Sequence, residues 1–311
     1  MPSFQRTCLP VLLTLLALCL LCPGLSQAAR LPVKAAILYN MSTGRILYQL
    51  NENMPIAPAS LTKIMTLYLA FDEIQNRKLS LHKRVKISSQ AATTRGSTMH
   101  LKSGERVPLS KLITGTAVAS GNDAAIAVAQ TVHPRLTTFV KRMNAKAKAL
   151  KMRQTVFKNP TGLPAQGQIS CASDILKLAL AYVRTHPEAL AFHQLATFTH
   201  GGHVLTTTNP LLGAVCGVNG LKTGWTVASG YNIVVTAKRD NTRLMCVIMG
   251  GKSRVGRDLF ARRLIEAGFR TPTSAKSVRE TVEGKHPHQA VPAKRQPRAH
   301  RAKPAKRPKR R

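Results

Sequence analysis

Pro58-Ala59-Ser60-Leu61-Thr62-Lys63-Ile64-Met65-Thr66 is the stretch that decides how this chain is read. Pro58-Ala59-Ser60 opens a helix, and Ile64, Met65, Leu67, Tyr68 and Phe71 recur along one face of it. Three residues make nearly one helical turn, so Ser60 and Lys63 project the same way and their side chains can meet. A lysine with its ordinary pKa of about 10.4 is charged at neutral pH and is no base. Partial desolvation and a second nearby cation would depress that pKa. The pair therefore predicts a serine nucleophile with Lys63 as its base. A helix N-terminus also favours the negative charge such a reaction develops. A second copy of the pattern, Ser80-Leu81-His82-Lys83, lies among polar, loop-like residues and is set aside.

Two further triplets follow in order, at the roughly 60- and 100-residue intervals of active-serine acyl-transfer enzymes. Ser120-Gly121-Asn122 falls between two helical runs. Its hydroxyl can shuttle a proton to a leaving amine, and the Asn122 amide can hold a substrate backbone or Lys63. Lys222-Thr223-Gly224 leads into a pair of strands. The Lys222 ammonium and the Thr223 hydroxyl suit a terminal carboxylate, and Lys222 supplies the second cation for Lys63. Gly224 lets a substrate backbone approach closely, and an edge strand there can bind an extended peptide through main-chain hydrogen bonds. The backbone N–H groups of Ser60 and Trp225 are the natural oxyanion pair. Asp123 reads as a cap for the helix that follows it. Alone, either triplet is an ordinary turn or loop; the ordered set carries the reading.

Around these motifs the pattern is hairpin, many helices, hairpin, helix. Residues 33–39 and 45–50 read as paired strands, and 85–88 and 99–101 as short strands. Helical runs begin at Ser110, Asp123, Leu136 and Cys171. Residues 231–237 and 244–250 are β-branched strands about the turn Asp240-Asn241, and 257–269 form a closing helix. The order predicts an α+β fold: one antiparallel sheet holding both chain ends, with an all-helical lobe inserted between.

The chain has 311 residues, 44% of them apolar, and a formal net charge of +35. Residues 1–28 read as a signal peptide: a basic Arg6, an apolar run from Cys8 to Leu21, a break at Pro23-Gly24 and small residues at Ser26-Gln27-Ala28. Export to the periplasm or cell envelope follows, with the domain over 29–271. Residues 272–311 read as a disordered, Pro-rich basic tail; from Thr271 onward stand thirteen basic residues and two acidic ones. Such a tail suits an anionic membrane or wall surface. A nucleic-acid-binding role conflicts with export and lacks interleaved aromatic residues. Beyond the leader remain Cys171, Cys216 and Cys246, neither a disulfide framework nor a metal set. No metal or organic cofactor is implied, and the histidines, His200-Gly201-Gly202-His203 included, show no ligand spacing.

With these motifs in hand, the chain resembles the D-alanyl-D-alanine carboxypeptidases, serine peptidases of the low-molecular-mass penicillin-binding proteins. Phe157-Lys158-Asn159-Pro160-Thr161-Gly162-Leu163 and Glu266-Ala267-Gly268-Phe269 extend the likeness. The resemblance implies a β-lactamase/transpeptidase-like fold and an acyl-enzyme on Ser60. It also implies release of terminal D-alanine from peptidoglycan stem peptides and acylation by β-lactams. Asn219, Trp225 and Ile169 depart from the residues usual in the family. The implied site is catalytic Ser60, Lys63, Ser120 and Asn122, with Lys222, Thr223, Gly224 and Trp225 binding substrate. A D,D-endopeptidase cutting D-alanyl cross-links uses the same apparatus and stays open at this point. A β-lactamase would need a deacylating Glu between the second and third motifs. The acids there are Asp123, Asp174 and Glu188, and the Glu188 surroundings lack an asparagine partner.

Overall fold

The computed structural model describes residues 31–284. The expected leader, 1–28, and the segment 285–311 lie outside the described residues. The chain opens with a hairpin, β1 (Ala35–Asn40) and β2 (Arg45–Leu50). It closes its sheet with β7 (Val218–Thr226), β8 (Gly230–Arg239) and β9 (Thr242–Gly251). The antiparallel sheet has the order β2-β1-β9-β8-β7, so the first and last segments of the domain pair through β1 and β9 and β7 is a free edge. Alternation along each strand gives the sheet two apolar faces. One face, with Ile37, Val234, Val247 and Met249, packs on the helical lobe. The other, with Leu38, Val235, Cys246 and Ile248, is covered by the long helix α8 (Arg254–Arg270).

The lobe contains α1 (Thr62–Gln75), α2 (Ser89–Ala92), α3 (Leu109–Ala117), α4 (Asn122–Val132), α5 (Leu136–Ala149), α6 (Ala172–Thr185) and α7 (Leu190–His193). Helix α1 is buried from Thr62 to Phe71, which makes it the lobe's central rod. Its polar residues are buried with partners in place: the Thr66 hydroxyl donates to the Pro160 carbonyl at 2.6 Å. Two small hairpins complete the fold, β3 (Arg84–Lys86) with β4 (Arg106–Pro108), and β5 (Thr197–His200) with β6 (His203–Thr206). Among the described residues no helix is long and apolar enough to cross a membrane.

Four expectations change. Residues 99–101 are no strand, because the Met99 and Leu101 N–H groups donate to the Asp123 carboxylate (3.0 and 3.1 Å) instead of to a ladder. Asp123 is accordingly a clamp on that loop rather than the helix cap, a place Gly121 takes. Lys222-Thr223-Gly224 lies inside β7 and not ahead of it. The first part of the segment expected as tail, 272–311, is folded. Residues 275–283 form a helix, α9 (Ala275–Glu283), with Ser274 accepting from Ser277 N–H at its start and left-handed Gly284 at its end. Val278 and Val282, one turn apart, are fully buried against the second core. Arg279 donates to the Gln49 carbonyl of β2 at 3.0 Å, which occupies an edge-strand acceptor. The folded domain thus runs to residue 284.

Candidate active site

Ser60 stands in a single 3-10 turn, Ala59–Leu61, that runs directly into α1. Asn232 of β8 holds that turn to the sheet. Its Nδ2 donates to the Ala57 carbonyl at 3.1 Å, and its Oδ1 accepts from Gly250 N–H at 2.8 Å. Two glycines abut the turn. A methyl group on Gly162 would lie 1.8 Å from the Ala59 carbonyl oxygen, and its φ of +82° is itself one that favours glycine. One on Gly224 would lie 2.9 Å from the Ser60 nitrogen. The absence of a side chain at 224 therefore serves the approach of β7 to the nucleophile's own backbone, a nearer cause than the substrate clearance expected from sequence. Ala59 itself has φ +48°, a left-handed conformation that costs a non-glycine residue about 1–2 kcal/mol.

Lys63 is completely buried. Its Nζ lies 2.9 Å from Ser60 Oγ, 2.7 Å from Asn122 Oδ1 and 2.7 Å from the Thr161 carbonyl. The amide of Asn122 is oriented by its other end, where Nδ2 donates to the Arg95 carbonyl at 2.7 Å. Two of the three neighbours of Nζ thus only accept hydrogen bonds. A neutral amine has two N–H groups and one lone pair. Asn122 and Thr161 take the two protons, and the lone pair is left for the hydroxyl of Ser60 to donate into. Burial pushes the Lys63 pKa well below its ordinary value; the nearby Lys222 charge lowers it further, and Asp123 opposes both.

Lys222 is also buried, and burial followed by the Arg257 charge brings its pKa down to about 7. It donates to the Thr223 carbonyl at 3.0 Å. The Thr223 hydroxyl donates to Thr208 Oγ1 at 2.8 Å, so the anchor is braced from the segment after β6. Ser120 is buried between α3 and α4 with φ +60°, a strained conformation of the kind found at functional sites. Trp225 is 53% exposed, its ring tilted against Tyr231 with centroids 5.8 Å apart. The structure thus brings Ser60, Lys63 and Asn122 into one hydrogen-bonded set with Lys222 beside it. Ser80 has no part in it.

Sequence reasoning missed three contributors. The Thr161 carbonyl completes the lysine cage; Asn159 shapes its turn by accepting from Gly162 N–H at 2.7 Å and Thr161 N–H at 3.1 Å. Asn232 fixes the nucleophile's turn. His193, in α7, approaches the Leu221 carbonyl through Nδ1 at 2.9 Å and is held neutral by burial, its pKa brought down to about 4. None of the acids between the second and third motifs is hydrogen-bonded to the set of Ser60, Lys63 and Asn122. Asp123 clamps its loop, Asp174 pairs with Lys177 at 2.7 Å, and Glu188 is 3.6 Å from His186. Among the described residues no three His, Cys, Asp or Glu side chains gather as a metal site.

Residues 25–253 match the profile of the family described as D-alanyl-D-alanine carboxypeptidase, peptidase S11. The chain belongs to that family. The D-alanyl-D-alanine carboxypeptidase DacF of Bacillus subtilis is 34% identical over 247 residues, 76% of this chain and 62% of the relative. The chain therefore spans less than two thirds of that carboxypeptidase's length. A D-alanyl-D-alanine endopeptidase of Pseudomonas aeruginosa is 30% identical, and the match covers 82% of this chain and 85% of that protein. Among solved structures, penicillin-binding protein D2 from Listeria monocytogenes, in its cefotaxime-bound form, superposes with a TM-score of 0.71 at 30% identity. That match covers 77% of this chain and 98% of the other. The α+β architecture expected from sequence is thus the fold of the carboxypeptidase family.

Proposed function

We propose that the chain is a serine-type D-Ala-D-Ala carboxypeptidase of peptidoglycan stem peptides, acylated at the same serine by β-lactams. The observation that carries this is the buried, caged amine of Lys63, whose Nζ lies 2.9 Å from Ser60 Oγ. Ser60 Oγ attacks the carbonyl carbon of the penultimate D-alanine, and its proton passes to Lys63 Nζ. The tetrahedral oxyanion is held by the N–H groups of Ser60 and Trp225. Collapse breaks the peptide bond, and the departing D-alanine amine takes a proton relayed through the Ser120 hydroxyl. Asn122 keeps Lys63 oriented and offers its amide to the substrate backbone. Lys222 and Thr223 receive the terminal carboxylate. Water then hydrolyses the ester and frees Ser60. With none of Asp123, Asp174 and Glu188 hydrogen-bonded to Ser60 or Lys63, a β-lactam ester has no glutamate placed to hasten its hydrolysis, which favours a long-lived adduct over a β-lactamase.

The segment before residue 29 directs export to the periplasm or envelope, and the basic segment after 284 holds the protein at an anionic surface. The test is mass spectrometry of the chain after incubation with benzylpenicillin, together with assay of free D-alanine from a pentapeptide. One adduct on Ser60 and released D-alanine are expected; no adduct there would sink the proposal. A second reading, the D,D-endopeptidase, rests on the likeness to the Pseudomonas enzyme, 30% identical over 82% of this chain and more distant than the carboxypeptidases. Cross-linked muropeptides separate the two: cleavage of the cross-link faster than release of terminal D-alanine selects the endopeptidase.

A further inference from the structure

Helix α8 is buried along one side only. Its outward stripe carries Val255 and Leu259, one turn apart and 66% and 60% exposed. Arg254, Arg262, Arg263 and Arg270 on the same helix are exposed, as is Lys252 just before it. The helix has two acids, and both are neutralised: Asp258 by Arg257 at 2.6 Å, and Glu266 by Arg239 of β8 at 2.6 Å. The face is therefore apolar at its centre and cationic around it. Helix α9 packs beside α8, with Arg263 donating to the Val282 carbonyl at 3.2 Å. The chain thus leaves the folded domain from this same layer. The segment that follows, 285–311, has eleven Lys and Arg and no Asp or Glu.

We propose that this outer face of α8 docks on an anionic phospholipid bilayer, with Val255 and Leu259 entering the interfacial region and the arginines meeting lipid phosphates. The apolar pair decides between anionic partners. A soluble wall polymer rewards the arginines alone, whereas a bilayer rewards both groups, because aliphatic side chains gain on leaving water for the acyl boundary. The basic segment supplies long-range attraction to the same surface. The active edge, β7, bounds the cleft on the sheet's opposite face, towards the lobe, so docking through α8 leaves Ser60 turned to the wall. The inference stands apart from the catalytic reading.

The test is co-sedimentation of the full chain with vesicles of equal parts phosphatidylglycerol and phosphatidylcholine. Val255→Ser/Leu259→Ser is expected to bind roughly tenfold more weakly, a loss of about 1.4 kcal/mol. Thermal unfolding and soluble-peptide turnover should not change, since both side chains are exposed. Arg254→Gln/Arg262→Gln should weaken binding and flatten its salt dependence. Unchanged affinity of the Val255/Leu259 variant overturns the proposal and leaves binding to the basic segment by charge alone. Equal affinity for phosphatidylcholine vesicles overturns it as well.

Discussion

Replacing Asn122 by aspartate keeps the shape of the lysine cage and changes one charge. In the native site a neutral oxygen, Oδ1, lies 2.7 Å from Lys63 Nζ. The substitution puts a carboxylate there. Two unit charges about 4 Å apart attract by ~4 kcal/mol at the effective dielectric suited to protein sites. That preference for the ammonium equals a rise of about 3 pKa units, at 1.36 kcal/mol each. The native Lys63 pKa is lowered by burial and Lys222; the carboxylate acts in the opposite direction. Acylation by benzylpenicillin should fall at neutral pH, by up to ~10³-fold, because the fraction of neutral amine falls with it. The sign gives the assay. Acylation needs neutral Lys63, so its rate climbs as pH rises through that pKa, and the acid limb of the variant should move to higher pH. Asn122→Ala is the control: it removes one acceptor without adding charge, so it should lower the rate and leave the acid limb where it was or lower. An acid limb unmoved in Asn122→Asp would refute Lys63 as the base.

Lys222, with its pKa near 7, should lose its grip on carboxylates as pH rises past that value. KM for a D-alanyl-D-alanine peptide is therefore expected to climb above about pH 7, while KM for its C-terminal amide stays level. The same shift acts on stability. Unfolded Lys222 keeps its proton up to its ordinary 10.5, so unfolding takes up a proton between about pH 7 and 10.5 and stability rises with pH across that window. Denaturant titrations of Lys222→Met should show a flatter rise. Gly162→Ala drives a methyl group into the Ala59 carbonyl. It should cost more than ~1 kcal/mol by unfolding and abolish penicillin acylation, since φ and space are both wrong for alanine. Truncation after Thr271 removes the buried Val278 and Val282, worth ~1.5–3 kcal/mol each before entropy; truncation after Gly284 should leave the melting temperature unchanged.

The order of elements and the gathering of Ser60, Lys63 and Lys222 are legible in the sequence because each depends on spacing and period. Ser60 and Lys63 meet through helical geometry alone, and the flanking hairpins show their period-2 pattern openly. What was hidden depends on contacts between distant segments. The Thr161 carbonyl is a backbone atom, which no side-chain pattern reveals, although Asn159-Pro160-Thr161-Gly162 marks a tight turn. The crowding of Gly224 by the Ser60 backbone is hidden because Ser60 lies 164 residues away in sequence. The hairpin at 197–206 has exposed Val204 and a polar tip, so its strands carry too weak an alternation to be read. Helix α9 was submerged in composition: two valines at i and i+4 are a faint signal among lysine, arginine and proline, and only the apolar face they cover gives them meaning.

The site's charge arrangement also suits the proposed carboxylate-ended substrate. Lys63, Lys222 and Arg257 are all buried; the Lys222 charge lowers the Lys63 pKa, and the Arg257 charge lowers that of Lys222. Asp258 satisfies Arg257 directly, and Asp123 reaches Lys63 only through space. Three buried cations against so few acids would be costly if all stayed ionised. The structure relieves that cost by lowering the pKa of both lysines, and a lowered pKa at Lys63 is what the proposed base requires. A substrate carboxylate beside Lys222 favours its protonated form, which in turn presses Lys63 further toward the neutral form through their mutual repulsion. Binding of the terminal carboxylate and activation of Ser60 are then coupled through two ammonium groups. A substrate lacking that carboxylate should lose acylation rate as well as affinity, and a peptide amide that lost affinity alone would break the coupling.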